Sequence, residues 1–571
     1  MSRSSLPPAR SIHGRLFALS LALVIAASGF VLPAGGSAGA SSAVVADPAT
    51  GSTVSLPANA IVIHVDQSQA ARFFPQTGTW ADGSAANPFP NLAQGVWQAQ
   101  QLRKGGAGVR VVVAPGVYRE KVEIGWTSSA PGPLVLEASV PGTVVVTGAD
   151  VEQRWTRVPG TFLYSAPWTN NWGLAPVPTS WGGITVDDLV RRREGVYVDS
   201  QALEQVGTPS ELTPGKFLVD EAADQIVMAP PAGVADLGDH VVEVTARDRA
   251  LRIHGTTRSV AVKGFTFEGA APGFEKHMVY VSDSTDVLIE NNLFRHSTWG
   301  GLGLASASSV TVRNNRATGN GGNGIDTYKS HNVVIEGNRI EGSNLRGVVN
   351  GYVGWSTAGS KNLLLHGAVF RRNTYEGNFA RGLWFDTDVK DVLVDGDRSC
   401  GNLSDGVFIE AVQGPLTIRG ATFCGNNGAG IRVGTSGGVR VEASTVANNR
   451  YGLLFAGERH RSWYDHVTGV LVEMGDFADW TLLGNVFVSP GTPPLISSSV
   501  IPMTDWKRLL AAGEIVASRN TFTRTPLDGT IQIQGKTYSL TEWDRATGDT
   551  RPVTTTTTAP LAKRSKVGGR R

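Results

Sequence analysis

The chain has 571 residues, of which 41% are hydrophobic and 18% are charged. Its 69 glycines exceed the usual share of about 7%, while only 29 prolines exclude a collagen-like or proline-rich chain. The formal net charge is +2, but 42 basic residues face 49 acidic ones between residues 41 and 550. An acidic body of this kind argues against a nucleic-acid-binding protein.

The first residues predict an export signal. Arg3, Arg10 and Arg15 precede an apolar stretch at 16–32, and Ala-Gly-Ala at 38–40 is a candidate cleavage site. This pattern predicts a secretory signal peptide over 1–40 and an extracellular mature protein, with an uncleaved membrane anchor as the alternative. We expect a disordered linker over 41–59. A disordered, threonine-rich basic tail over 551–571 is a candidate contact to a cell wall.

The next segment predicts a cap followed by an insertion. A β-type run at 61–65 precedes a helix that Asn91 can cap, with an apolar face of Leu92, Val96, Ala99 and Leu102. We interpret 60–149 as an N-terminal cap and first coils. The segment 150–245 is interpreted as an inserted β-subdomain with short strands near 196–198, 217–219 and 225–228. The segment 246–550 is the main repetitive body, with a candidate closing helix at 538–547.

The body is periodic. A glycine followed by alternating apolar residues recurs at spacings of 23, 23, 35, 24, 24 and 22 residues. The seven glycines are Gly301, Gly324, Gly347, Gly382, Gly406, Gly430 and Gly452. A period of 22–24 residues is too short for helical hairpins and indicates a parallel β-solenoid.

Asparagines provide a second register with the same period. The two series are Asn292, Asn315, Asn338, Asn373 and Asn320, Asn344, Asn378, Asn402, Asn426. Asparagine suits turns, and its side chains can stack as ladders between coils. We therefore predict an all-β, single-stranded right-handed parallel β-helix, pectate-lyase-like, with a cap helix and an inserted β-subdomain.

The two cysteines fit this frame. Cys400 and Cys424 are 24 residues apart, which is one coil. Neighbouring strands lie about 4.8 Å apart, within the reach of a disulfide. We predict a disulfide between adjacent coils, with two buried free thiols as the alternative.

Strand alternation indicates which residues face outward. If the first and third residues after each glycine point inward, the second and fourth point outward. The fourth column then places Asp386 and Glu410 on adjacent coils, where like charge should raise one pKa. A raised and an ordinary carboxyl side by side is typical of a retaining glycosidase. The alternatives are ordinary surface acids, or a calcium site that includes Asp388.

Other outward residues are candidates for substrate binding. Trp384 and Phe408 would stack on sugar rings if exposed, and burial beneath a loop is the alternative. Insertions near Tyr352 and at 457–466 would wall a cleft around the acidic pair. The full set of candidates is Asp326, Tyr328, Trp355, Trp384, Asp388, Arg432 and His460. No zinc-ligand spacing, phosphate loop or dinucleotide motif is evident, so no metal or cofactor is predicted.

One short stretch resembles a known family. Gly-Leu-Trp-Phe-Asp at 382–386, Gly-Val-Phe-Ile-Glu at 406–410 and Gly-Pro at 414–415 resemble the catalytic stretch of glycoside hydrolase family 120, the β-xylosidase type. The resemblance implies that Asp386 is the nucleophile and Glu410 the acid/base. This chain departs from the family in Thr387-Asp388 and in one extra residue between the acids, which leaves the substrate open.

The sequence therefore favours a monomeric, secreted retaining glycoside hydrolase acting on a poly- or oligosaccharide. A lyase or epimerase acting on uronates is an alternative, with Arg432, Lys329 and Lys390 as candidate bases, although an acidic body disfavours polyanions. A non-catalytic carbohydrate-binding or adhesin-like solenoid is a third interpretation.

Overall fold

The computed structural model describes residues 52–69, 81–125, 131–168, 170, 172–456, 461–474, 477–489, 494–498, 506–524 and 529–548. The signal peptide, much of the linker, the basic tail and His460 lie outside these residues. Within them, no helix combines the length and apolar character needed to cross a membrane.

The body is a parallel β-helix in which each complete coil contributes three strands. Face 1 consists of Val122–Ile124, Leu251–Ile253, His277–Ser282, Gly300–Ala305, Arg381–Asp386, Val407–Glu410, Ala429–Val433, Tyr451–Phe455, Ile496–Ser498 and Ile531–Ile533, with Lys536–Tyr538 added antiparallel at its end. Face 2 consists of Ile61–Val65, Val109–Val113, Leu134–Ala138, Arg258–Lys263, Thr285–Glu290, Ser308–Arg313, Lys390–Asp395, Leu416–Arg419, Gly437–Glu442, Ala478–Leu483 and Ile515–Ser518.

Two long strands, Ile325–Glu336 and Ala358–Arg371, run through both faces and join them into one sheet, which has 24 strands within the described ranges. Face 3 is a separate 12-stranded sheet of Gly116–Tyr118, Val144–Thr147, Phe265–Glu268, Leu293–Arg295, Arg316–Thr318, Arg339–Glu341, Thr374–Glu376, Arg398–Cys400, Thr422–Cys424, Thr445–Ala447, Val486–Ser489 and Thr521–Arg524. The predicted fold class is confirmed.

The inward column is the apolar one, as predicted. Leu383, Val407 and Ile431 lie opposite one another on successive coils and are fully buried. They belong to one continuous core that extends from Ile63 to Trp543. Burying a column of branched side chains in every coil stabilises the stack, because each buried side chain is worth about 1.5–3 kcal/mol.

The asparagine ladders are present with one correction. Asn315 Nδ2 donates to Asn338 Oδ1 at 3.0 Å, and Asn402 Nδ2 donates to Asn426 Oδ1 at 2.9 Å. Asn344 is not a rung, because it has a left-handed backbone and donates to the carbonyl oxygens of Tyr352 and Phe379. The turn hydrogen bond to Asn378 comes instead from the backbone of Ser343.

The repeat assignment at Gly347 is wrong. Residues Leu345–Val349 form a short helix in the long turn, and the coil strand is Ala358–Arg371. Gly359 takes the repeat position, since a Cβ there would meet the carbonyl oxygen of Gly382 at 2.7 Å. The 35-residue spacing therefore falls between Gly324 and Gly359, and Lys361 enters the second outward column.

The ends and the insertion complete the fold. The helix Leu92–Arg103 begins after Asn91, whose side chain accepts from the backbone of Gln94 at 2.8 Å, and it packs over the first coils. The helix Leu540–Thr547 lies within the expected 538–547 segment. The other helices are Asp188–Arg191 and Trp506–Ala511, with 3₁₀ turns at Gln67–Gln69, Thr179–Trp181 and Pro209–Glu211.

Two small sheets lie between the early and main coils. One consists of Ala149–Val151, Val196–Val198, Gln201–Ala202 and Val242–Thr245. The other consists of Thr156–Arg157, Tyr164–Pro167, Glu204–Gln205, Lys216–Asp220 and Gln225–Ala229. Later in the chain, Arg461–Tyr464 and Leu471–Met474 form an antiparallel hairpin. Cys400 and Cys424 form the predicted disulfide on face 3.

Candidate active site

The two candidate catalytic acids end neighbouring strands of face 1. Asp386 is the last residue of the strand Arg381–Asp386, and Glu410 is the last residue of the strand Val407–Glu410. The two residues are register partners. Thr387 and Ala411, the residues that follow, have φ angles of 45° and 50°, so each chain turns sharply after its acid. Because neighbouring strands lie about 4.8 Å apart, both carboxyls emerge at the same edge of the face.

Asp386 is held by a cation and a hydroxyl. Lys361 Nζ lies 3.0 Å from Asp386 Oδ2, and Thr387 Oγ1 donates to Asp386 Oδ1 at 2.9 Å. The Asp386 side chain is only 12% exposed, which strengthens this ion pair relative to one in water. The cation and the hydroxyl together fix the orientation of the Asp386 carboxyl group.

Glu410 lies in a different electrostatic environment. Burial raises the pKa of Glu410, and the neighbouring charge of Asp386 raises it further, while the Arg461 guanidinium opposes both effects. Arg461 forms an ion pair with Glu410 Oε1 from the hairpin Arg461–Tyr464. A carboxyl with a raised pKa beside an ion-paired one is the combination required of a general acid next to a nucleophile.

The aromatic pair is on the outward face but is not exposed, so of the two alternatives for Trp384 and Phe408 the covered one holds, and neither ring is open to stack on a sugar. They are 5% and 6% exposed, with ring centroids 5.3 Å apart. Lys361 Nζ lies 3.9 Å and the Arg381 guanidinium 4.3 Å from the Trp384 ring centroid. Cations cover the rings because a desolvated cation gains energy over an aromatic face.

Arg381 and Arg432 extend this cationic layer. Arg381 also lies 4.8 Å over Phe408, its Nε is 3.5 Å from Asp405 Oδ2, and burial lowers its pKa. It donates to the carbonyl oxygen of Gly354, which ties the long turn to the site. Arg432, opposite Phe408 in register, lies 5.3 Å from that ring centroid. Its buried Nε has no hydrogen-bond partner within the described part of the chain.

Asp326 is committed to structural contacts. Its Oδ2 lies 2.9 Å from His277 Nε2 and accepts from Asn323 Nδ2 at 2.8 Å, while its Oδ1 accepts from the backbone of Lys361 at 2.8 Å. Beside it, burial raises the pKa of Glu275, and Ser356 donates to that carboxyl at 2.8 Å. Asp326 therefore positions the coil that carries Lys361.

The remaining predicted binding residues surround the acids at different distances. Tyr328 is 43% exposed and lies two coils before Asp386 in the same column. Leu363, on the coil between them, is the register partner of both residues. Trp355 is 49% exposed and packs edge-on against Trp181 at 5.8 Å. Both have accessible surface for a ligand.

Asp388 cannot contact a substrate, contrary to its prediction as a binding residue. It is fully buried and lies against two imidazoles, with His366 Nε2 at 3.1 Å from Oδ1 and His466 Nδ1 at 2.5 Å from Oδ2. The left-handed backbone at Thr387 and Asp388, with φ angles of 45° and 57°, ends the outward alternation at Asp386. Nitrogen neighbours also argue against calcium, which prefers oxygen ligands.

Two of the three candidate lyase residues lie away from the acids, whereas the third, Arg432, belongs to the cationic layer over Phe408. Lys329 packs over the Tyr328 ring at 5.6 Å, and Lys390 begins a strand of face 2. The lysine beside Asp386 is Lys361, which sequence analysis missed because it placed the coil boundary at Gly347. Arg381 and His277 were also missed, since neither follows a repeat glycine at an outward position.

Comparison with known proteins agrees with this architecture. The family model "Right handed beta helix region" matches residues 250–449. The fold is a right-handed parallel β-helix. No curated protein matches the sequence significantly.

Among solved structures, XylC in complex with xylose aligns at 16% identity with a TM-score of 0.60, covering 83% of this chain and 86% of that one. The A-module of the Azotobacter vinelandii mannuronan C-5 epimerase AlgE6 aligns at 13% identity with a TM-score of 0.46, covering 81% and 96%. A glycoside hydrolase aligns at 13% identity with a TM-score of 0.42, covering 83% and 94%. At these identities the likeness establishes the fold alone.

Proposed function

We propose that this chain is a carbohydrate-active β-helix enzyme, a retaining glycoside hydrolase acting on a poly- or oligosaccharide. The observation that carries the proposal is the register pair at the ends of two adjacent strands. Asp386 is paired with a lysine, while the pKa of Glu410 is raised by burial and by its neighbour. The adjacent-strand spacing suits the 5–5.5 Å separation of a retaining pair better than the wider inverting one.

In this mechanism Asp386 attacks the anomeric carbon and Glu410 protonates the departing glycosidic oxygen. A covalent glycosyl ester forms as the glycosidic bond breaks. Glu410, now a carboxylate, takes a proton from water, which attacks the same carbon and releases Asp386. Lys361, 3.0 Å from Asp386 Oδ2, orients that carboxylate for attack, and Arg461 stabilises the Glu410 carboxylate between the two steps.

Two variants test the proposal. Asp386→Asn and Glu410→Gln should each lower kcat by about 10²–10⁴-fold on aryl glycosides while leaving the fold intact. Glu376→Gln, a face 3 carboxyl paired with Arg339, is the matched control and should retain full activity. Azide should restore turnover to Glu410→Ala on a substrate with a good leaving group, and NMR should show the first product with retained anomeric configuration. An inverted product would exclude the retaining mechanism.

A uronate lyase or epimerase is a second candidate, and the cationic layer favours it. Lys361, Arg381 and Arg432 lie on the face that carries the acids, and Arg461 reaches Glu410 from the hairpin. Guanidinium groups recognise carboxylates. Incubation with alginate and pectate separates this candidate from the first. An increase in absorbance from an unsaturated product, or a changed uronate composition by NMR, supports the second candidate. If the wild type and both variants are equally inactive on all substrates, the result favours a non-catalytic carbohydrate-binding protein.

We extend the proposal to export and assembly. The sequence over 1–40 supports secretion, and the mature protein is proposed to be a monomer. Expression with the native leader should release a chain beginning near Ser41 into the medium. Light scattering should give the mass of one chain, and a cell-retained full-length product would contradict secretion.

A further inference from the structure

Three distant segments bring two histidines onto one buried carboxylate. His366 lies on the long strand Ala358–Arg371, Asp388 follows the strand that ends at Asp386, and His466 lies in the hairpin after Tyr464. One ligating atom of each of the three residues lies within 4.8 Å of the other two, and the two imidazole centroids are 4.2 Å apart. Sequence spacing could not reveal this cluster because 22 and 78 residues separate its members.

The carboxylate is fixed by further donors. Gln413 Nε2 donates to Asp388 Oδ1 at 2.7 Å, and the backbone N–H of His466 donates to Oδ2 at 2.8 Å. These contacts orient both carboxylate oxygens toward the imidazoles. A fixed orientation of this kind is what outer partners provide in metal sites.

One imidazole nitrogen of this cluster has no hydrogen-bond partner among the described residues. The His466 side chain is only 10% exposed, and its Nε2 is buried without a hydrogen-bond partner among the described residues. A buried polar atom without a partner costs about 1–3 kcal/mol, so its retention calls for an explanation. Nε2 can donate a lone pair to a metal ion, and it belongs to the imidazole whose other nitrogen, Nδ1, contacts Asp388.

We propose that His366, Asp388 and His466 form a binding site for a divalent transition-metal ion of the zinc class. Two imidazoles and one carboxylate are a ligand set that Zn²⁺ and its first-row neighbours accept, whereas Ca²⁺ and Mg²⁺ prefer oxygen. The inference does not depend on the proposed glycosidase activity.

The location of the site indicates its role. His466 is on the hairpin that carries Arg461, and Arg461 pairs with Glu410. His366 and Asp388 belong to the coils beneath. An ion bound to all three residues would fasten the hairpin to the β-helix and hold Arg461 on Glu410, so these three are positioning residues rather than catalytic ones.

Metal binding is tested directly on the purified mature chain. After chelator treatment, Zn²⁺ titration followed by calorimetry should show one site, and Co²⁺ should give visible absorption bands of a nitrogen-ligated ion. His366→Gln and His466→Gln should each weaken Zn²⁺ binding by at least about 100-fold, since even outer partners of metal ligands cost 10–100-fold. Circular dichroism of the metal-free variants checks that they fold.

A second His–Asp pair supplies the matched control. His240 Nδ1 lies 2.5 Å from Asp199 Oδ2 at a more exposed location, and among the residues that the structure describes it belongs to no group of three possible metal ligands. His240→Gln should therefore bind Zn²⁺ as the wild type does. Binding without a cobalt spectrum, no saturable site in the wild type, or equal affinity in folded His466→Gln would each overturn the proposal and leave the cluster as hydrogen bonding alone.

Discussion

Asp397 occupies a rung of the first asparagine ladder and should make stability depend on pH. It follows Asn373 by one coil, accepts from the backbone N–H of Asn373 at 2.8 Å and from the Tyr375 hydroxyl at 3.3 Å, and is 1% exposed. Burial raises the pKa of Asp397 from its ordinary 3.8 to about 7, although those hydrogen bonds oppose the shift. Below about pH 7 a protonated carboxyl thus occupies a position where the four preceding rungs, Asn292, Asn315, Asn338 and Asn373, have an amide.

The sign and size of the effect follow from this pKa. Between about pH 4 and pH 7 the unfolded chain has released the proton that the folded chain keeps, so stability falls as pH rises. The whole shift corresponds to about 4 kcal/mol, of which roughly 2–3 kcal/mol is lost between pH 5 and pH 8. Asp397→Asn removes the ionisable group and keeps the ladder hydrogen bond. The amide of the variant can donate to the carbonyl oxygen of Phe370, which occupies the position in its coil that Val312, the acceptor for Asn338, occupies in an earlier one.

The assay is urea unfolding of wild type and Asp397→Asn at pH 5 and pH 8, followed by tryptophan fluorescence. The advantage of the variant over the wild type in free energy of unfolding should be roughly 2–3 kcal/mol larger at pH 8 than at pH 5. Contributions of other titrating groups to the free energy of unfolding are the same in both proteins, so they cancel when the variant is compared with the wild type at each pH. An advantage that is the same at both pH values would refute the reasoning, since Asp397 would then not be the titrating group.

Three other predictions follow from single contacts. Arg461→Met removes the charge that lowers the pKa of Glu410, so the alkaline limb of the rate profile should move to higher pH by about one unit or more. Gly382→Ala should destabilise the fold by about 1–3 kcal/mol in thermal unfolding, because its Cβ would lie 2.0 Å from a neighbouring hydroxyl. Replacing Cys400 and Cys424 by serine should cost about 3 kcal/mol in urea, since the disulfide closes a 24-residue loop.

Each of these has a control. Arg110→Met, at a surface ion pair near the first coils, should leave the rate profile unchanged, and a profile that Arg461→Met does not move would contradict the role of Arg461. Gly105→Ala, with its nearest contact at 3.7 Å, should be tolerated; equal cost at both glycines would contradict the steric argument. Reduced wild type should unfold at the urea concentration of the double serine variant, and a difference would indicate an effect of serine itself.

The sequence determined the fold because its period is local and repeated. The coils between Gly301 and Phe455 repeat a glycine, alternating apolar residues and turn asparagines with one period, and only a stacked β-solenoid buries all of those apolar residues at once. The same register placed Asp386 opposite Glu410 and Cys400 opposite Cys424. Pairing between adjacent coils depends only on residue offsets, which can be counted.

Contacts across the long turns required the tertiary structure. Lys361 was missed since the 12-residue insertion can be placed before or after Gly347, and the pattern does not decide between the two. Arg461 and His466 reach Glu410 and Asp388 across 51 and 78 residues from a hairpin outside the repeat. A periodic sequence fixes which residues share a column, whereas the path of a loop depends on which side chains it meets, and only the folded structure decides that.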